Sequence, residues 1–356
     1  MRRIIFYSII FFLLIISNAC SQQEEVKEKP ATEETQEQPV TAEPEDDANA
    51  NLFEYAFPLS GIGTGVESTQ RPYAVIINNH PSARPQSGLH KADIIYEMLA
   101  EGDVTRFLAI FQSEHPEIIG PVRSARDYFV DFSKGFDAFF VAHGWSPDAK
   151  KILQAREVDN INGMTYDATL FWRDNSRVAP HNSYISFENI EKGAEQTGQL
   201  FANNTPPLPF LTEQEASNLN GTNGLNVSVD YSSREIFESE YTYNTKIERY
   251  ERYSYDEQTI DRETSEPIYL DNVFIVEMEH RVIDSEGRRT INALSGGKGL
   301  LLQKGVAREV EWKNIDGRIV PYQDNKEVGL VPGKTWINII PDSPGITGSV
   351  SFGNNN

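Results

Sequence analysis

Apolar residues along the first half of the folded chain come in short runs with little polar interruption. Tyr73-Ala74-Val75-Ile76-Ile77, Ile94-Ile95-Tyr96-Glu97-Met98, Phe107-Leu108-Ala109-Ile110-Phe111 and Phe139-Phe140-Val141-Ala142 have the pattern of strands covered on both faces. Helical spacing intervenes. Phe129, Phe132 and Phe136 fall on one face of a helix predicted over 124–136. Ser146-Pro147-Asp148 joins an N-cap serine to a proline at the first helical position, and a third helix is predicted to start at Ser186 and run to Gln199. Strands interleaved with helices predict a layered α/β domain with a mixed sheet at 51–205. The segment Thr165 to Phe171 is read as a further strand.

The rhythm changes after the prolines Pro206, Pro207 and Pro209. Short β-type segments follow: Leu225 to Tyr231, Lys246 to Tyr255, Val273 to Glu279, Gly299 to Gln303, Arg308 to Lys313 and Thr335 to Ile340. Glu286-Gly287 and Asp316-Gly317 mark turns between them. No helix is predicted after Ser239. This second region, 225–352, is expected to be mostly β and to fold by itself, so the predicted class is α+β with two folded domains.

The first fifty residues have a different character. Arg2 and Arg3 precede an apolar run from Ile4 to Ile16, which ends at Ser17-Asn18-Ala19-Cys20. Thirteen helical residues reach about 20 Å, short of a hydrocarbon core of roughly 30 Å. The pattern is that of a secretory signal ending on the chain's one cysteine, as in a bacterial lipoprotein signal peptide at 1–20 with Cys20 lipidated. Residues 21–50 hold ten acids, two lysines and three prolines and no aromatic residue. That composition predicts a disordered acidic linker that lifts the folded part from the membrane.

Composition narrows the functions further. The 356 residues carry 53 acidic and 32 basic side chains, a net charge of -21. Such a surface excludes nucleic acid as a partner, because binding it requires cations that displace counterions. A single cysteine excludes a disulfide framework, a cysteine-rich zinc site and a thiol nucleophile elsewhere in the chain. No metal-ligand spacing occurs, and no cofactor is predicted. Ser295-x-x-Lys298 lacks the helix that a penicillin-interacting serine needs, and the segment from Gly329 to Thr335 is one residue short of a phosphate-binding P-loop.

Three stretches are more distinctive. Ala92-Asp93-Ile94-Ile95-Tyr96-Glu97 leads to Glu101-Gly102-Asp103-Val104-Thr105-Arg106-Phe107; Ile119-Gly120-Pro121-Val122-Arg123-Ser124-Ala125-Arg126 follows; Pro332-Gly333-Lys334-Thr335-Trp336-Ile337 lies near the end. Together they resemble the YerB-type lipoprotein family of Gram-positive bacteria, a domain of unknown function with N- and C-terminal family domains. The resemblance covers nearly all of the chain from Arg71 onward. It implies an envelope location and a two-domain split and brings no reaction with it. The family usually has two glycines before Ser-Pro, whereas this chain has His143-Gly144-Trp145-Ser146-Pro147.

The chemistry the residues suggest is anion binding. Arg123 and Arg126 sit where a strand gives way to a predicted helix, and free N–H groups beside guanidiniums suit a carboxylate or phosphate. The other reading is that these arginines pair with Glu97, Asp103 or Asp127 and clamp the turn. His143 ends a strand directly before the Ser146 cap, a position at which open α/β sheets bind ligands. Arg173, Arg177 and His181 would join it if their strand enters the same sheet. The candidate ligand-binding set is Arg106, Arg123, Ser124, Arg126, His143, Ser146, Asp148, Arg173, Arg177 and His181. Seven tyrosines between Tyr231 and Tyr269 suit either a binding face or cross-strand packing.

The sequence therefore reads as a membrane-anchored lipoprotein on the extracytoplasmic face of the cell membrane. It would act as a binding or scaffolding component of the cell envelope, with an envelope protein or a cell-wall glycan or peptide as ligand. The alternative is a hydrolase or transferase on a phosphorylated or carboxylated envelope substrate, with His143 or His181 as acid/base and arginines as the clamp.

Overall fold

A computed structural model describes residues 53–199, 202 and 205–353; Cys20, the signal segment and the acidic linker lie outside the described residues. In chain order the main elements are β1 (Tyr73–Asn78), β2 (Ile94–Glu101), β3 (Val104–Phe111), α1 (Asp127–Lys134), β4 (Phe139–Ala142), α2 (Pro147–Gln154), β5 (Asn160–Asn162) and α3 (Phe187–Thr197). The later region adds β6 (Asn226–Val229), β7 (Ser239–Asn244), β8 (Arg249–Ser254), β9 (Asn272–Met278), β10 (Gly297–Gln303), β11 (Val306–Ile315), β12 (Arg318–Gln323), β13 (Thr335–Pro341) and β14 (Val350–Phe352). The class is α+β, with a layered α/β first region and a mostly β second region.

Local chemistry accounts for the helices. Ser146 Oγ accepts from Ala149 N at 3.3 Å with Pro147 at the first turn, and Ser186 Oγ accepts from Asn189 N at 3.1 Å. α3 stops at Gly198, whose φ of 72° is left-handed. The segment read as a strand from Thr165 to Phe171 is instead a helical turn, Gly163–Tyr166, capped by Asn162, with a short strand only at Phe171–Arg173. A five-residue helix, Gly345–Ser349, also forms in the second region, where none was expected. The first is set by its local Asn162 cap, and the second is held by Glu277, whose Oε2 accepts from Ile346 N at 3.0 Å.

Among the described residues one mixed sheet holds twelve strands, in the order Lys326–Glu327, β12, β11, β10, β9, β13, β2, β3, β1, β4, β5, with Thr222–Asn223 on β11. The two regions thus share their hydrogen bonding. β13 from the second region lies parallel to β2, with Trp336 opposite Ile95 and Asn338 opposite Glu97. The chain outside the linker forms one compact unit, although the prolines at 206–209 suggest a break.

Each sheet strand sends alternate side chains to opposite faces. Ala74, Ile76, Tyr96, Leu108 and Ile110 meet Phe129 and Phe132 of α1 and Leu153 of α2 on one face. Val75, Ile77, Ile95 and Phe107 face the other way, toward Ile190 of α3 and Val227, Tyr241 and Tyr250 of a second sheet, ordered Glu257–Gln258, β8, β7, β6, β14. Glu97 shares the parity of Ile95, so a carboxylate enters the layer between the two sheets.

That carboxylate is fully buried and fully bonded. Its Oε1 accepts from Asn79 Nδ2 at 3.1 Å and Thr105 Oγ1 at 2.9 Å; its Oε2 accepts from Arg252 Nη2 at 2.9 Å, Ser239 Oγ at 3.1 Å and Trp336 Nε1 at 3.1 Å. The Arg252 guanidinium stacks 4.5 Å from the centre of the Trp336 ring. The hydroxyl of Tyr241 donates to Asn338 Oδ1 at 3.0 Å and that of Tyr231 lies 3.1 Å from the same oxygen, so part of the tyrosine-rich segment is core. Tyr250 is also buried, whereas Tyr255 is half exposed.

Candidate functional site

Loops converge beyond the carboxyl ends of β1 and β4, which are parallel neighbours. The segment around Arg123 is laid between them. Asn78 N donates to Pro121 O at 2.9 Å, Arg123 N to Ile76 O at 2.9 Å, and His143 N to Arg123 O at 3.0 Å. Ser124 Oγ donates to His143 O at 3.0 Å, which closes the loop on its neighbour. A Cβ at Gly144 would stand 2.4 Å from that Ser124 oxygen, and Gly144 has a φ of 95°, so a glycine is required there.

Arg123 is the half-buried centre of the cluster. Among the described residues its guanidinium has no hydrogen-bond or ion-pair partner, and burial followed by the nearby Arg106 charge lowers its pKa to about 10. Its charge reaches three imidazoles, His80, His143 and His181, and helps to depress the pKa of each, behind the larger effect of burial.

The imidazoles divide by their bonding. His143 Nε2 lies 2.8 Å from Arg173 Nη2, which can only donate, so Nδ1 carries the proton and donates to Ser183 Oγ at 2.7 Å. Asp167 in turn holds Arg173 at 2.8 Å. Both ring nitrogens of His143 are occupied, which leaves no lone pair for proton transfer. Gly163 makes room for the ring, since a Cβ there would fall 2.1 Å from Nδ1. His181 Nδ1 accepts from Asn78 Nδ2 at 2.8 Å and His80 Nδ1 accepts from Ser82 N at 3.1 Å, so each presents Nε2–H as a donor. The two rings stack at 4.4 Å. Arg177 donates to Pro85 O at 2.6 Å through Nη2, while its buried Nη1 has no acceptor.

Other expected residues are engaged elsewhere. Arg106 and Arg126 both ion-pair with Glu101, the last residue of β2, and Arg106 Nη1 also donates to Ser124 O at 2.6 Å. Of the acidic residues proposed to pair with Arg123 and Arg126, Glu97 holds Arg252 and Asp103 holds Arg234, while Asp127 lies within electrostatic reach of Arg126 without an ion pair among the described residues. Arg126 is the N-cap residue of α1 and makes no side-chain cap bond. Ser146 caps α2, and Asp148 pairs with Lys151 at 2.8 Å in solvent. Trp145 lines a separate groove of about 360 Å³ with Leu153, Asn160 and Tyr166. The strand carrying Arg173 belongs to a small sheet with Ser183–Ser186 and Ile118–Ile119, outside the large one, yet it still delivers Arg173 to His143. His80 and Asn78 were not anticipated. The strand-end rule that singles out His143 applies equally to β1 and would have found them.

The burial of His143 gives a measurable pH signature. Burial, then the Arg173 charge, lowers its pKa from 6.5 to about 4. The unfolded chain therefore binds more protons than the folded one between those values, so stability contributed by neutral His143 is complete above pH 6.5 and is lost as pH falls toward 4. Urea denaturation of the wild type should show this slope, and His143→Asn should remove part of it. An unchanged slope in the variant would mean that His143 is not buried as described.

Comparison with known proteins places the chain. The N-terminal domain of the protein of unknown function family DUF3048 matches residues 59–200, and its C-terminal domain matches residues 227–337. The chain belongs to this family. YerB of Bacillus subtilis (strain 168), named as a candidate lipoprotein, is 53% identical over 287 residues, covering 80% of this chain and 86% of that protein. The crystal structure of YerB from Bacillus subtilis superimposes with a TM-score of 0.78 at 50% identity, over 85% of this chain and all of that one. Among the described residues no helix is long and apolar enough to cross a membrane.

Proposed function

We propose that the protein is a lipoprotein, anchored through Cys20 on the extracytoplasmic face of the membrane, whose folded region binds an anionic group of the cell envelope. It acts by binding or scaffolding and does not catalyse a reaction. The observation that carries this reading is Arg123: a half-buried guanidinium without a partner among the described residues, beside imidazoles that present donors. His80 and His181 offer Nε2–H, while Arg177 is tied to Pro85 O and Arg173 is held by Asp167. A carboxylate or phosphate has the acceptors this set lacks.

Phosphate and citrate, compared with chloride at equal ionic strength, should raise the thermal midpoint of the wild type. At a hundred times the dissociation constant the gain is about 2.7 kcal/mol. Arg123→Ala should fold with nearly wild-type stability and lose the response. Arg126→Ala, which breaks a pair with Glu101, should lose stability and keep the response. A wild type indifferent to both anions would refute the proposal.

A further inference from the structure

A second cleft, of about 210 Å³, opens between residues 79–86 and the hairpin made by β8 and Glu257–Gln258. It is smaller than pockets for drug-sized ligands, about 300–1,000 Å³, and suits something the size of an amino acid. Two guanidiniums line it, Arg84 and Arg252. Arg84 Nε donates to Asn79 Oδ1 at 3.1 Å and Nη1 to Ile236 O at 3.0 Å, but Nη2 is buried without an acceptor. Both of these acceptors are neutral, and among the described residues no carboxylate lies within ion-pair distance of Arg84, although the charges of Glu97 and Glu257 reach it. Arg252 spends Nη2 on Glu97 and Ser239 and Nη1 on Ser254 and Thr259, and its Nε is likewise buried and unpaired in a side chain 1% exposed. One buried carboxylate thus serves two neighbouring guanidiniums. At the inner end the second guanidinium relies on that shared carboxylate and on the exposed Glu257.

The outer end has the opposite sign. Glu257 lines the cleft, is exposed, and has no ion-pair partner among the described residues; Gln258 stands beside it. A buried and a half-buried cation beneath an exposed carboxylate complement a small zwitterion.

We infer that this cleft is a binding site for a free α-amino acid, its carboxylate accepting from Arg84 Nη2 and its ammonium facing Glu257. The site uses none of the groups assigned to the Arg123 cluster, so it stands independently of the anion-binding proposal.

Thermal shift and titration calorimetry against the common L-amino acids and D-alanine, with acetate and ethylamine as single-charge controls, test it. At least one amino acid should bind more tightly than acetate. Glu257→Gln, a change in an exposed side chain, should weaken that amino acid about tenfold, equivalent to one charge-assisted hydrogen bond, and leave acetate bound at least as tightly, since the Glu257 charge also reaches Arg84. Arg84→Lys should weaken both. Arg123→Ala should leave amino-acid binding intact, which separates this site from the phosphate response. A wild type that binds no amino acid, or a Glu257→Gln variant that binds as tightly as wild type, would overturn the assignment.

Discussion

Replacing Arg252 by alanine is expected to cost the fold about 3–5 kcal/mol. Glu97 is wholly enclosed between the two sheets, and Arg252 is its only cationic partner among the described ion pairs. Taking the guanidinium away leaves a carboxylate with neutral donors from Asn79, Thr105, Ser239 and Trp336 and no counter-charge. It also empties a stacking position over Trp336. Glu97→Gln should be damaging for the complementary reason, since it strands a buried guanidinium. Equilibrium urea denaturation of Glu97→Leu, Arg252→Met and the double variant Glu97→Leu/Arg252→Met checks the account. The double variant should be more stable than the sum of the single losses implies, because the stranded charge is the larger part of each loss. Additive losses would show that the pair is not coupled.

The second large effect concerns separation of the two regions. A polypeptide of residues 225–352 alone is expected to fail to fold cooperatively. Its β13 would lose β2, the parallel neighbour that pairs from Thr335 to Ile339, and would become an open sheet edge. Arg252 and Trp336 would lose Glu97, and Tyr231 would lose the Glu97 carbonyl to which it donates at 3.0 Å. Far-UV circular dichroism and urea denaturation of the isolated region, with and without residues 51–205 supplied as a separate chain, test this. Structure should return only on mixing. A cooperative unfolding transition by the isolated region would show that the shared sheet is dispensable.

The local elements were legible because their causes are local. Apolar runs at Tyr73, Ile94, Phe107 and Phe139 mark buried strands, and Ser146-Pro147 and Ser186 mark helix starts within a residue of where they fall. What escaped depends on partners distant in the chain. Arg252 lies 155 residues from Glu97, and Trp336 lies 239 residues from it. No periodicity announces either pairing or the parallel register of β13 on β2. Glu97 itself was a readable clue, since a charge inside a buried strand requires a buried partner. The arginine motif was legible as a cluster of cations but not in its division of labour. Arg126 and Arg123 are three residues apart, and only the path of the turn gives Glu101 to one and leaves the other without a partner among the described residues.

That division is the central claim, and the resonance of the Arg123 Nε–Hε pair reports on it most directly. In a proton–nitrogen correlation spectrum, with the signal assigned by its loss in Arg123→Lys, titration with phosphate at constant ionic strength should shift Arg123 saturably. The Glu101-paired Arg106 and Arg126 should stay in place. An Arg123 signal that does not move at saturating phosphate, or one that moves no more than every exposed arginine, would contradict the account.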